Sequence, residues 1–443
     1  MNLPKIISIL AFLFVGLLAQ QKAEAQEVYD LSRCIETGLE QNYSLKVVRN
    51  NEEITRNNYS KGNAGMLPVV SNTNRLNGSL NNTTQNTATE SFSSQGVHNT
   101  SVESTINAGL TIFRGFQVQN TYNKLGKQVE LSSLNTQMSI ENLVSQIVSE
   151  YYKYIQQLVL YENLKYAVSL SRERVRIDEE RYVLGGASKM QLLQSQVYLN
   201  ADSSRYALQR EVLHTSRIRL NRLMASEKLD EMIVLKDSII DIDKELRFDD
   251  LLQQTLDLNT GLQIAGQNMQ ITELDYKIIK SRAYPYLTMN TGYTYRFNNY
   301  GSGNIESQHQ HGLNYGFTVG VDIFDGFNRR REQQNAQIEV ESQSIRYSEV
   351  EQEVKADLHT VYFAYDNNLR LLKLEEQNLE VARENLDIAL EQYKLGSLAG
   401  IELREVQKNL LDAEERLISV KYLAKLAEIS LKQISGDVMS YMQ

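Results

Sequence analysis

The sequence has little of what several protein classes require. It contains one cysteine, Cys34, so no disulfide can form within the chain. After residue 25 no apolar run approaches the about 18 to 20 residues of a transmembrane helix, so any membrane span must be made of strands. The formal net charge is -9, which argues against a nucleic-acid partner.

Motifs for catalysis and metal binding are also missing. The sequence has no HExxH pattern, no cysteine cluster, no phosphate-binding glycine loop and no nucleophile elbow. We therefore predict a protein that is not an enzyme, with no cofactor and no metal. Its five histidines have no partners in the internal repeat described below: His98, His214, His309, His311 and His359. His309 and His311 are expected in a surface loop.

The first 25 residues have the pattern of a secretory signal. Lys5 precedes an apolar run at 6–18, and small residues flank position 24. Cleavage is expected near Ala25. Cys34 lies too far from the apolar run for a lipoprotein signal, so we expect an unlipidated chain with a half-buried structural thiol.

The longest feature is a stretch at 328–395 that contains no glycine or proline. As one helix it would be roughly 100 Å long, and a helix of that length needs lateral partners along its whole course. Its apolar residues recur about every 3.5 positions, the spacing of a coiled coil. A second apolar stripe lies beside the first at heptad spacing: Leu374, Val381, Ile388 and Leu395. Two stripes indicate two neighbours, as in a ring of helices.

An internal repeat divides the chain into two halves. The motif Phe-x-Gly-Phe at 113–116 recurs at 324–327, and Tyr-x-Leu-Gly at 182–185 recurs at 393–396, in both cases 211 residues later. This spacing predicts a first repeat at 26–226, a charged connector at 227–247 in the equatorial region, and a second repeat at 248–443.

Each repeat contains a predicted β-hairpin. Pro68 and Pro285, the only prolines after residue 25, mark the exit from helix into strand. Apolar and polar residues then alternate with a period of two. We predict hairpins at about 68–113 and 285–324, with the polar run at 72–100 forming a long external loop. Such strands also cover soluble cores, but the secretory signal favours transmembrane strands, and four strands are too few to close a barrel.

Each repeat has the same order of features: helix, proline, strand pair, glycine turn, long helix (about 117–184 and 328–395), Tyr-x-Leu-Gly tip and returning helix. This order, duplicated behind a signal, resembles the TolC family of outer-membrane efflux and secretion ducts. The resemblance covers the chain after residue 25. It implies a mainly α fold with transmembrane β: a trimeric 12-stranded β-barrel that continues into a 12-rod α-helical barrel in the periplasm.

The same resemblance implies a function and partners. The chain would be the outer-membrane channel of a tripartite efflux pump or type I secretion system, a passive exit duct for small molecules or proteins in a diderm bacterium. Its partners would be two further copies of itself, a periplasmic adaptor (membrane fusion protein), an inner-membrane pump of the RND or ABC type, and outer-membrane lipid.

Site residues also follow from the resemblance. Glu402, Glu405 and Tyr393 match the pore constriction. Leu398 and Gln191 replace the basic and acidic residues that can latch neighbouring protomers, so no salt-linked latch is expected. The helix-hairpin tips would receive the adaptor through Val183, Leu184, Gly185, Gly186, Ala187, Ser188, Lys394, Leu395, Gly396 and Ser397, although a glycine also ends a helix for purely structural reasons.

Two alternatives have no channel. A secreted or periplasmic coiled-coil scaffold would explain the helices but not two amphipathic hairpins that each follow a proline. A periplasmic adaptor has a helical hairpin between lipoyl-like β segments, which differs from this twofold repeat.

Overall fold

The computed structural model describes residues 28–442, and the predicted signal at 1–25 lies outside them. The chain forms two compact units, each built from separate stretches of sequence. The first, here called the helix unit, comprises the described residues up to 47 together with 137–260 and those from 351 onward. The second, here called the sheet unit, comprises 48–136 and 261–350.

The two halves of the chain follow the same order of elements. The first half contains β1 (Val28–Tyr29), α1 (Leu31–Gln41), α2 (Tyr43–Asn58), β2 (Val69–Asn86), β3 (Ser91–Arg114), α3 (Gln117–Val183), α4 (Lys189–Leu223) and β4 (Val234–Leu235). The second contains α5 (Phe248–Leu258), α6 (Thr260–Ser281), β5 (Tyr286–Asn299), β6 (Ser307–Gly320), α7 (Asn328–Leu395), α8 (Gly400–Ile434) and a 3-10 helix (Val438–Met442).

The two apolar stripes of α7 have different surroundings in the helix unit. The first stripe is buried at every seventh residue: Leu358, Tyr365, Leu372, Leu379, Leu386 and Tyr393. The second stripe, at 374, 381, 388 and 395, is exposed. One flank of the helix therefore packs within the chain, and the other has no cover from the described residues. None of the helices within 28–442 is both long and apolar enough to cross a membrane.

The sheet unit contains a four-stranded antiparallel sheet in the order β2-β3-β5-β6. The prediction of a long loop at 72–100 is wrong, because β2 and β3 pair as far as Asn86 and Ser91. The backbone ladder continues through this polar run because serine and threonine can follow an extended course without an apolar face.

The second hairpin departs from the prediction in two ways. His309 and His311 lie in β6, opposite Phe297 and Tyr295, and not in a loop. Pairing ends at Gly320, four residues before the predicted end, because its partner strand begins just after Pro285, which has no N–H to donate.

The core of the helix unit contains the only thiol. Cys34 is 0% exposed, and not half-buried as predicted. Burial, followed by the charge of Asp30, raises the pKa of the Cys34 thiol to about 12. Next to this core, the Tyr151 hydroxyl donates to an Asp237 carboxylate oxygen at 2.7 Å, which ties the connector to α3. The connector also supplies β4, which pairs in parallel with β1, a contact that the sequence did not predict.

One asparagine in each half fixes the junction between short helices. Asn42 Nδ2 donates to the carbonyl oxygen of Leu223 at 3.0 Å. In the second half, Asn259 Nδ2 donates to the carbonyl oxygen of Ile434 at 2.9 Å. Each bond satisfies a carbonyl in the last turn of a returning helix, where no partner exists within the helix.

Candidate functional site

The tips of the two helical hairpins share one turn geometry. Gly185 and Gly396 have φ angles of 78° and 82°, the left-handed region that favours glycine. After each, an amide closes the turn: Gly186 N–H donates to the Arg181 carbonyl at 2.7 Å, and Ser397 N–H donates to the Gln392 carbonyl at 3.0 Å. The sequence therefore specifies both tips through the same glycine turn.

The predicted docking residues are on the surface of these tips. Leu184 is 85% exposed and Leu395 is 83% exposed, although both are large and apolar. A Cβ atom added at Gly185 would meet no atom of residues 28–442 within 4 Å. Of the ten predicted residues only Ala187 is half-buried, and the others are exposed. The tips thus present apolar side chains and bare backbone to solvent.

Two tip residues that depart from the family pattern have structural roles here. Gln191 forms a capping box with Ser188: Ser188 N–H donates to Gln191 Oε1 at 2.8 Å, and Gln191 N–H donates to Ser188 Oγ at 3.3 Å. Leu398 packs against the apolar cluster that contains Leu403 and Leu410. Both positions therefore hold the hairpins in shape within one chain.

Tyr393 is 3% exposed, so it does not reach the surface on which the predicted glutamates lie. Its hydroxyl donates to Asp178 Oδ1. The guanidinium of Arg181 lies 4.8 Å from its ring centroid and donates to the Tyr393 carbonyl oxygen. Burial and the hydrogen bond to Asp178 raise the pKa of the Tyr393 phenol. Tyr393 thus connects the second tip to the first.

Asp178 belongs to a buried ionic cluster between the hairpins. Arg174 Nε lies 3.9 Å from Asp178 Oδ2, and both side chains are almost fully buried. The Nε and Nη1 atoms of Arg174 have no hydrogen-bond partner among the described residues, and burial lowers the pKa of its guanidinium. The guanidinium lies 4.8 Å from the ring centroid of Tyr198, whose face supplies a cation–π contact.

A second buried ion pair also borders Tyr198, whose ring centroid lies 5.0 Å from the Arg404 guanidinium. Arg404 donates to both carboxylate oxygens of Asp202, at 2.6 and 2.7 Å. Ser171 Oγ donates to Asp202 Oδ2 at 2.5 Å. These bonds join α3, α4 and α8. A separate groove of about 800 Å³ lies beside the tips, lined by, among others, Arg174, Arg181, Met190, Gln194, Tyr198 and Leu398.

Glu402 and Glu405 are both exposed in the first turns of α8. Glu402 Oε2 accepts from the backbone N–H of Ala399 at 3.2 Å, so it caps the helix start. Residues three apart project from one side of a helix. The structure therefore places the two carboxylates on one exposed face.

The four-stranded sheet has one polar and one apolar face. In register across the strands, the polar face carries serine, threonine, asparagine, glutamine and glycine with a few charges. The opposite face carries, among others, Ile106, Leu110, Tyr293, Tyr295, Phe297, Leu313, Tyr315, Phe317 and Val319.

Exposure on this sheet is the reverse of that in a soluble protein. Thr105, on the polar face, is 8% exposed, whereas its neighbour Ile106, on the apolar face, is 53% exposed. At this position of an inner strand the polar side chain is the buried one, and the apolar side chains of the opposite face are exposed to solvent. An exposed apolar surface of this extent marks an interaction surface.

Family comparison agrees with this geometry. The family model described as outer membrane efflux protein matches residues 251–437. The chain therefore carries the outer membrane efflux protein domain over residues 251–437. It is an exit duct of the outer membrane, and the scaffold and adaptor alternatives are not favoured. No curated protein matches the chain.

Solved structures with the fold of this efflux protein cover nearly all of it. The outer membrane protein VceC from Vibrio cholerae has a TM-score of 0.73 at 15% identity, with 92% of this chain and 96% of that chain covered. The Campylobacter jejuni CmeC outer membrane channel has a TM-score of 0.73 at 16% identity, with 92% of this chain and 85% of that chain covered. The open state of the Neisseria gonorrhoeae MtrE outer membrane channel has a TM-score of 0.69 at 15% identity, with 92% of this chain and 89% of that chain covered.

The buried ionic cluster of this efflux protein was missed from the sequence. Leu170 and Ile177 belong to the apolar cluster of the helix unit, and Arg174, Asp178 and Arg181 continue the same face at steps of three and four. Charged residues at core spacing are the signal that could have identified them.

We expect Tyr393→Phe to loosen the second tip. The change leaves the buried Asp178 carboxylate without its hydroxyl donor, which costs about 1 to 3 kcal/mol. Amides of 390–400 should then exchange their hydrogens about tenfold faster, as measured by mass spectrometry. Tyr182→Phe is the matched control, because Tyr182 is the equivalent tyrosine of the first tip and its ring is exposed. Equal exchange in both variants would contradict a linking role for Tyr393.

Proposed function

We propose that three copies of this efflux protein form the duct. The observation that carries the proposal is the open sheet: β2 and β6 are edge strands without a second neighbour in the described part of the chain, and the apolar face next to them is exposed. Unpaired edges are a template for pairing with another chain. Pairing β6 of one copy with β2 of the next would give a twelve-stranded barrel with its polar face inside and its apolar face against lipid.

The exposed stripe of α7 supports the same assembly. Its members at 374, 381, 388 and 395 lack cover within the described chain. Helix α4 also exposes apolar side chains: Met190, Leu193, Val197, Leu208 and Val212. Packing the stripe of one copy against α4 of its neighbour would bury both and close the helices into a ring of twelve rods.

The tips are proposed to dock a periplasmic adaptor that couples the duct to an inner-membrane pump of the RND or ABC type. Support comes from the exposed apolar side chains of Leu184 and Leu395 and from the bare backbone at Gly185. A partner hairpin can approach such a backbone closely, as small residues allow in helix packing. The groove beside Met190 offers a further contact surface.

Glu402 and Glu405 are proposed to line the narrow entrance of the duct. Threefold symmetry would bring their exposed carboxylates around one axis, where a ring of carboxylates attracts cations. Tyr393 is proposed to act behind this ring, because its buried hydroxyl holds the tip in place through Asp178.

We expect a homotrimer in detergent. Native mass spectrometry of the protein extracted from outer membranes should give three times the mass of the mature chain, and the same sample should form conducting channels in planar bilayers. Exposed strand edges and an exposed helix stripe leave a single copy too much unsatisfied backbone and apolar surface to be stable alone. A conducting monomer would contradict the proposal.

Bulk at the tips should block docking. Gly185→Trp should abolish adaptor crosslinking and export, because an indole would fill the space beside the turn while trimer assembly persists. Gly185→Asn is the matched control: asparagine tolerates the left-handed region and adds little bulk. If export survives in both variants, the first tip is only a turn.

Neutral entrance residues should reduce cation binding. In planar bilayers the wild-type trimer should conduct cations in preference to anions, and multivalent cations should block it. The double variant Glu402→Gln with Glu405→Gln should weaken that block severalfold. The amide oxygen of the substituted side chain at position 402 can still accept the Ala399 N–H, so the helix start should persist. Glu380→Gln together with Glu384→Gln, on α7, is a charge-matched control. Unchanged block in the entrance variant would place the constriction elsewhere.

A further inference from the structure

One row of charge crosses the polar face of the sheet. Arg75 on β2 lies opposite Glu103 on β3, and Glu103 lies opposite Arg296 on β5. Gln310 on β6 completes the row opposite Arg296. Residues directly opposite on neighbouring strands project from the same face. Two guanidinium groups and one carboxylate therefore share a single level of the polar face.

The rows on either side of this level are neutral. Toward one end of the strands the next row is Asn77, Ser101, Asn298 and Gln308, and toward the other it is Thr73, Thr105, Thr294 and Gly312. Ser101 Oγ donates to Asn298 Oδ1 at 2.8 Å, and Thr105 Oγ1 donates to Thr294 Oγ1 at 3.2 Å. Hydroxyl and amide groups thus satisfy one another here. The charged row of Arg75, Glu103 and Arg296, here called the belt, therefore has a neutral row on each side.

An ion pair accounts for only part of the belt. Arg296 Nε and Nη2 donate to Glu103 Oε2 at 2.9 and 2.6 Å, a cross-strand pair that helps to fix register. Arg75 is exposed and has no ion pair or side-chain hydrogen bond within residues 28–442. Register does not require it, since the neighbouring rows pair through neutral groups. The belt keeps a net positive charge in each chain.

The chemistry of this belt suits an anion. A guanidinium presents a planar fork of N–H groups that matches carboxylate and phosphate oxygens. In a lumen lined by this face the protein would displace water, and the field of such a charge would be focused and less screened than on an open surface. The belt lies on the face proposed to line the duct, so a solute moving through would pass it.

We propose that Arg75 and Arg296 form a binding site for multivalent anions bearing phosphate or carboxylate groups, on the inner surface of the duct. Glu103 orients Arg296 and limits the net charge of the site. The inference rests on the proposed function, because only assembly of several copies would bring their belts together around one lumen. It assigns the duct a preference for anionic solutes at this level, distinct from the acidic entrance.

Calorimetric titration of the detergent-solubilised assembly with inositol hexakisphosphate tests the site directly. Wild-type protein should bind the probe, and binding should weaken as salt rises. Arg75→Gln together with Arg296→Gln should weaken binding by about tenfold or more, since charge-assisted hydrogen bonds are lost. Arg75→Lys with Arg296→Lys should retain most of it, because the charge remains.

The substitution Glu103→Gln should have the opposite effect on binding of the probe. Removing the only carboxylate of the row raises its positive charge, so the probe should bind more tightly than to wild type. Arg346→Gln is the control, because Arg346 is an exposed, ion-paired arginine on α7 in the same unit. Absence of binding, equal loss in the Arg346 variant, or weaker binding in Glu103→Gln would each overturn the site. Heat-resistant assembly of every variant, judged by electrophoresis, confirms that it is folded.

Conductance separates this inference from the proposed function. If channels conduct but the probe does not bind, the duct stands and the anion site fails. If the probe binds in an arginine-dependent manner but no preparation conducts, the proposal of a duct lined by this face fails, and the site is a surface feature of the sheet.

Discussion

This structure depends on one constraint: apolar surfaces must be covered, and a single chain covers only some of its own apolar surfaces. Within the helix unit, the stripe that contains Leu372 and Tyr393 is buried, while the stripe that contains Val381 and Ile388 is exposed. The sheet repeats the pattern at the level of the backbone, with two inner strands paired on both sides and two outer strands paired on one. A fold of this kind is complete only when other surfaces meet it.

The buried polar groups of the tips have the complementary role. Apolar stripes fix which helices lie together, but they tolerate sliding by a heptad. The bonds of Asp202 to Arg404 and of Asp178 to Tyr393 permit one alignment, since a shifted partner would leave a buried charge unpaired. Burial makes these contacts costly to break, which suits the proposal that the tips keep their turn geometry while they dock an adaptor.

Much of the fold was predictable because strong local signals agreed. Pro68 and Pro285 lie just before the strands, and Gly185 and Gly396 end the long helices, as expected. The polar strands between Asn72 and Thr100 were not predictable, because alternation gives no signal when both faces are polar. The contact of β1 with β4 and the partners of Tyr393 depend on which distant segments meet, and pattern along one chain does not contain that information. The entrance role of Glu402 and Glu405 stays a prediction.

The burial of Cys34 has a practical consequence. The only sulfhydryl of the described chain lies in the core with its ionisation suppressed, so it is closed to labelling reagents while the protein is folded. A cysteine introduced at a tip or on the belt would then be the only reactive one. Spin labels, fluorophores and bifunctional crosslinkers could therefore be attached to introduced cysteines without first removing the native one. Distances between copies could then be measured in an otherwise unchanged chain.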